Sequence, residues 1–112
     1  MSKFNSSKIT IDGKTFDSKK EARRYTELKL LERAGEIAGL RTQVAYELAP
    51  RVRFASEERA KPAVRYMADF VYLQNGVTVV EDVKSPATRS LPVYRLKKHL
   101  MMSVHGLEVS EV

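Results

Sequence analysis

The chain has 112 residues, 43% of them hydrophobic and 30% charged, with 20 Lys and Arg against 14 Asp and Glu for a formal net charge of +6. It reads as one soluble globular domain with a modest core, and the absence of cysteine excludes disulfides, thiolate catalysis and cysteine–zinc sites. No apolar run approaches a bilayer span, and residues 1–8 lack the apolar core of a signal peptide, so a cytoplasmic protein without a membrane partner is expected.

Residues 1–8 are polar and expected to be mobile, leaving 9–112 as the folded domain. Ile9 to Phe16 alternates around an Asp12-Gly13 pair, the pattern of a small hairpin. Asp17-Ser18-Lys19-Lys20-Glu21 opens a helix whose inner face carries Ala22, Tyr25, Leu28 and Leu31, and Gly35 stops it. Ile37 to Leu40 reads as a short connection, Thr42 to Leu48 as a strand ended by Pro50, and Arg51 to Pro62 as a charged loop. The runs Val64–Leu73 and Thr78–Lys84 are rich in β-branched and aromatic residues and flank Gln74-Asn75-Gly76-Val77. Asn-Gly accepts positive φ at both central positions, so it predicts a two-residue type I′ hairpin. Pro86 breaks the chain. A second helix is expected from about Leu91 to Val104, with Val93, Leu96, Leu100 and Val104 toward the core and Arg95, Lys98 and His99 away from it. Gly106 ends it before a final alternating strand at 107–112. The predicted order is β-α-β-β-β-α-β, an α/β domain with a mixed central sheet flanked by helices.

The predicted turn fixes the hairpin register. Gln74 faces Val77, and counting outward places Asp69 opposite Asp82, with Cβ atoms about 5 Å apart. Lys84 shares their face and Glu81 takes the other. Parity further puts Tyr66, Phe70, Tyr72, Val79 and Val83 on one face, and Met67, Val71, Leu73 and Val80 on the other with the carboxylates. Two opposed carboxylates repel, and a divalent cation between them turns that repulsion into binding. Phosphodiester hydrolysis needs oxygen ligands for Mg²⁺ or Mn²⁺, a nucleophilic water and a positive group beside it, which Asp69, Asp82 and Lys84 supply. The plainer reading is a surface cluster in which Lys84 bridges two exposed aspartates.

Glu21 has two readings. Ser18-Lys19-Lys20-Glu21 matches a capping box, with Glu21 reaching back to the Ser18 amide; alternatively Glu21 is a third carboxylate on the metal side. Gln43 could touch the water or a phosphate, or bond to backbone. The net charge favours a polyanionic partner, chiefly nucleic acid. Arg51, Arg53, Arg95, Lys97 and Lys98 are the candidate phosphate contacts, against the plain alternative of solvated basic faces.

Asp69 followed on the next strand by Asp82-Val83-Lys84, after the acidic Glu21 of a first helix, resembles the signature of the PD-(D/E)XK nuclease superfamily. Phe16-Asp17-Ser18-Lys19-Lys20-Glu21-Ala22, Ala68-Asp69-Phe70 and Val80-Glu81-Asp82-Val83-Lys84 resemble small phage and prophage endonuclease-like proteins, similar in compactness and motif order to Holliday junction resolvases. The likeness covers about residues 8–112. Ala68 stands where the motif has proline, and Asp82 where glutamate is frequent. The resemblance implies a restriction-endonuclease-like fold, metal ligation by Asp69, Asp82, Glu21 and the Val83 carbonyl, and Lys84 as the catalytic lysine. It also implies DNA, branched or otherwise structured, as substrate, phage replication or recombination in a bacterial cytoplasm as the setting, and a homodimer for paired cuts. A non-catalytic nucleic-acid-binding module on the same fold is one alternative, and a structural or regulatory phage protein whose carboxylates form ordinary salt bridges is another.

Overall fold

The computed structural model describes residues 8–112; the segment expected to be mobile, 1–8, lies outside them except for Lys8. The elements are β1 (Ile9–Ile11), β2 (Lys14–Phe16), α1 (Lys19–Arg33), β3 (Ala38–Ala49), β4 (Val64–Gln74), β5 (Val77–Asp82), α2 (Pro86–Arg89), α3 (Pro92–His105) and β6 (Val109–Glu111). β1 and β2 make a separate hairpin, and the main sheet has the order β3-β4-β5-β6. β3, β4 and β5 are antiparallel neighbours, whereas β6 runs parallel to β5. A mixed sheet between helices is therefore present, with α1 packed on one face and α3 on the other. Among the described residues no helix is long and apolar enough to cross a membrane.

The Asn75-Gly76 turn forms with φ of 53° and 76°, as a type I′ hairpin requires. It sets the predicted register: Gln74 pairs with Val77, and pairing continues in step to Phe70 and Glu81. The pairing ends there, and Asp69 and Asp82 are the next residue on each strand, with the Val83 amide bonded to the Asp69 side chain.

Side-chain parity departs from expectation at that point. Tyr66 was expected on the face of Phe70 and Tyr72; it packs instead with Ala68, Val71 and Val80 on the α3 side, while Phe70 and Tyr72 face α1. Met67, expected beside Val71, is half exposed at 50%. The cause is a kink shared by two strands. Gln43 in β3 takes a φ of +52°, and alternation inverts there and at Asp69 together. The β3–β4 pairing keeps its offset on both sides, from Thr42–Phe70 to Val44–Ala68, so the ladder survives while the faces exchange.

Three further features differ: one strand boundary, one added turn and one helix rotation. β3 begins at Ala38, so the expected connection at Ile37–Leu40 is largely strand; Leu40 packs on the α1 side and earns that pairing. Ser85 caps an unforeseen turn, α2, by accepting from the Thr88 amide. α3 spans the expected residues but is rotated by about 100°, one residue step on a helix. Tyr94 and Met101 are its buried residues and fill the space over Tyr66, Val80 and Val109. Leu100 is half-buried, whereas Val93, Leu96 and Val104, expected inside, are 67%, 58% and 52% exposed. Residues 51–62 form the expected loop, crossed by one isolated bridge between Val52 and Lys61. β6 closes the sheet beside Asp82, whose carbonyl accepts from the Val112 amide at 3.0 Å.

Candidate functional site

α1 delivers Glu21 in its first turn. Ser18 Oγ accepts from the Glu21 amide at 3.1 Å, so half of the expected capping box is made. The other half is not: the Glu21 carboxylate turns to Gln43, whose Nε2 donates to Glu21 Oε2 at 3.1 Å. Gln43 Nε2 also donates to Asp69 Oδ1 at 3.3 Å. The left-handed backbone at Gln43 thus aims one amide group between two acids. Burial pushes the Glu21 carboxyl up to about 7, helped by the negative charges of Asp69 and Asp17 and opposed by a backbone hydrogen bond at Asp17 and by Lys84.

β4 and β5 carry the aspartates. Asp69 is half-buried, and its Oδ2 accepts from the Val83 amide at 2.8 Å, a bond made where the ladder ends. Asp82 is fully buried. Tyr66 donates its hydroxyl to Asp82 Oδ2 at 2.7 Å; Asp82 Oδ1 has no hydrogen-bond partner among the described residues and lies 3.3 Å from Lys84 Nζ. Burial, with Asp69 next to it, raises the Asp82 carboxyl to about 7 against the opposing pull of Tyr66 and Lys84. The ammonium of Lys84 also stands 5.4 Å from the centre of the Tyr94 ring, within cation–π range. The plainer sequence reading, two exposed aspartates bridged by lysine, does not fit a buried Asp82.

On the opposite face of β5, as the register required, Glu81 is buried and bound by Arg24 through two bonds, Nε to Oε1 at 2.8 Å and Nη2 to Oε2 at 2.6 Å. Tyr72 donates to the same carboxylate. This fork ties α1 to β5 one helical turn from Glu21 and one residue from Asp82.

Glu21, Gln43, Asp69, Asp82 and Lys84 are thus gathered into one connected cluster. Among the described residues no three His, Cys, Asp or Glu side chains stand together as a group able to hold a metal ion, so the expected set of three carboxylates is not assembled as a cage. Glu21 reaches Asp69 through Gln43. The two aspartates alone have the chemistry for Mg²⁺, which keeps much of its water and is commonly held by one or two carboxylates plus substrate phosphate. The buried Asp82 Oδ1, which has Lys84 as an ion-pair partner but no hydrogen bond among the described residues, is the oxygen a cation could share. The Val83 carbonyl lies on the residue whose amide fixes Asp69.

The basic residues are distributed elsewhere. Arg51 lines a cleft of about 470 Å³ with Lys61 and Arg65, and Arg53 Nε donates to the Glu58 carbonyl at 3.3 Å. Arg95 and Lys98 line a cavity against β6, and Lys97 is half-buried on α3. Sequence reasoning missed Tyr66, Tyr94, Arg24 and Arg89. Strand parity hid Tyr66, because nothing in Thr42-Gln43-Val44 announces a left-handed residue. The rotation of α3 hid Tyr94.

Fold and site together define a mixed α/β protein with a lysine-tended aspartate pair at a kinked strand pair. The chain belongs to the family described as protein of unknown function DUF1064, which matches residues 1–109. No curated protein and no solved structure matches it.

Proposed function

We propose that the chain is a divalent-metal-dependent DNA endonuclease of the PD-(D/E)XK type, hydrolysing phosphodiester bonds in branched or structured DNA during phage replication or recombination. The observation that carries this reading is the Asp82 carboxylate: buried, with one oxygen unbonded, beside Asp69 and 3.3 Å from Lys84 Nζ. Burying an acid is costly; Tyr66 and Lys84 offset part of that cost, and a cation at Oδ1 would offset more.

Asp69, Asp82 and the Val83 carbonyl would hold Mg²⁺ or Mn²⁺, and Glu21 would complete the acidic surroundings through Gln43. The ion would polarise the scissile phosphate and lower the pKa of the attacking water. Lys84 orients that water or stabilises charge growing on phosphorus. Tyr66 fixes the Asp82 carboxylate through Oδ2, leaving Oδ1 to face the site, and the Tyr94 ring limits where the Lys84 ammonium can go. The net charge of +6 supports a nucleic-acid substrate, and a symmetric dimer would suit paired cuts across a junction.

A panel of branched and linear DNAs incubated with Mg²⁺, Mn²⁺ or EDTA tests the reading. Cleavage is expected only with metal, and Asp69→Asn, Asp82→Ala and Lys84→Ala should each abolish it with the fold intact. Full activity in either aspartate variant at saturating Mg²⁺ removes the metal-ligand assignment. The net charge of +6 equally suits a second reading, a nucleic-acid-binding module without turnover; metal-independent binding with no cleavage of any substrate would select it.

A further inference from the structure

Across β6 from Asp82, α2, α3 and β6 border an open cleft of about 380 Å³ whose polar lining is Arg89, Arg95, Lys98, His99, Glu108 and Glu111. Its cations are underused. Arg89 Nε is buried with no hydrogen-bond partner among the described residues, and the nearest carboxylate oxygen, Glu111 Oε1, is 3.9 Å away. Lys98 Nζ stands 3.5 Å from the other oxygen of the same carboxylate. One acid thus serves two cations at long range, and Arg95 lies beside them. Three cationic side chains against two carboxylates leave one positive charge over, the charge that one phosphodiester would neutralise. A guanidinium with an unmade N–H bond is shaped for an oxyanion that offers two oxygens.

The cavity also lies where a strand passing the aspartates would lead. Glu111 is the β6 partner of Asp82, one strand spacing away, about 4.8 Å. Tyr94 stands between the two places: its ring meets Lys84 on one side, and its hydroxyl neighbours Glu111 on the other.

We propose that this cavity is a phosphate-binding subsite that takes a backbone phosphodiester of a nucleic-acid strand, with Arg89 as its anchor. The proposal rests on the reading that the chain acts on nucleic acid. Glu111 keeps Arg89 and Lys98 oriented in the empty cavity and gives them up when phosphate enters.

Binding of a short DNA oligonucleotide in EDTA tests this without requiring cleavage, so a failed catalytic assignment leaves the test intact. A set of oligonucleotides, each carrying one neutral methylphosphonate, should reveal one position besides the cleaved one where wild-type affinity falls about tenfold, the worth of one charge-assisted hydrogen bond. Arg89→Gln should lose the same factor with the unmodified strand and become insensitive at that position. Arg95→Gln, a more exposed change on a different helix, should weaken the same position. Glu111→Gln should bind several-fold more tightly, a gain that mere structural damage would not produce. Unchanged affinity and an unchanged interference pattern in Arg89→Gln and Arg95→Gln would overturn the subsite. So would saturation by inorganic phosphate below millimolar that the oligonucleotide cannot displace.

Discussion

Glu21 and Asp82 each have a carboxyl raised to about 7 in the folded chain, above ordinary values near 4 in the unfolded one. The folded state therefore binds more protons than the unfolded state between about pH 4 and pH 7, and stability falls as pH rises through that window and levels above it. Asp82→Asn removes much of this dependence. The variant should have a higher urea midpoint than wild type at pH 8 and a similar one near pH 4. Mg²⁺ should raise the wild-type midpoint at pH 8 and leave the variant unmoved; a wild-type midpoint indifferent to both pH and Mg²⁺ would sink the assignment of strained carboxylates. Glu21→Gln separates that residue's two readings. The Ser18 bond goes to the Glu21 amide, not to its side chain, so the helix cap should survive, and at pH 8 removal of the buried charge should raise the urea midpoint. Loss of most of the cleavage rate is expected if the carboxylate serves the site, and wild-type turnover would return Glu21 to a structural role. Gln43 keeps a left-handed backbone that costs about 1–2 kcal/mol for a residue with a Cβ, and such strain concentrates at functional sites.

Between elements, the Arg24–Glu81 fork holds α1 against β5. Arg24→Met would leave a buried carboxylate with Tyr72 as its remaining partner, at a cost of about 3–5 kcal/mol, whereas the double change Arg24→Met with Glu81→Leu should recover much of the loss. Chemical denaturation of the three proteins measures this; equal losses in the single and double variants would mean the fork contributes no more than packing. The hairpin was legible in sequence because Asn75-Gly76 permits few alternatives, and a turn fixes every rung beyond it. The Asp69–Asp82 pair, the Lys84 side and the separation of Glu81 all followed from that one dipeptide. The kink was not legible, since inverting parity in β3 and β4 together preserves the pairing and leaves no trace in either strand's composition. For α3, two apolar stripes one residue step apart were available. The buried one was chosen by the volumes of Tyr94 and Met101 against a sheet whose final strand is parallel, which is information outside the helix itself.

At the scale of the whole molecule, two of the basic clusters line clefts that do not include the aspartates, one at Arg51, Lys61 and Arg65 and one at Arg89, Arg95 and Lys98. Replacing both Arg95 and Lys98 should weaken DNA binding alike for all sequences and flatten the salt dependence, by about two units of slope if each contacts its own phosphate and by about one if they share the single phosphodiester of the subsite. Titration at two salt concentrations reads this, and an unaltered slope would leave those residues as solvated surface. Branched DNA should bind more tightly than linear duplex of equal length, because shape is what such a protein would recognise; equal affinity would remove the preference for junctions.

The parallel strand β6 carries a consequence for the order in which the protein becomes itself. Val109 is buried beside Val80, and the Val112 amide binds the Asp82 carbonyl. These contacts come from residues translated after every other part of the site. While the ribosome still holds them, β5 lacks its parallel neighbour and the Asp82 carbonyl lacks the Val112 amide. The nascent chain can fold its hairpin and first helix early, as sequential folding during synthesis favours. The β5 edge is covered only when β6 lands, so a product truncated before Val109 would carry the Asp69, Asp82 and Lys84 residues with that strand edge unpaired.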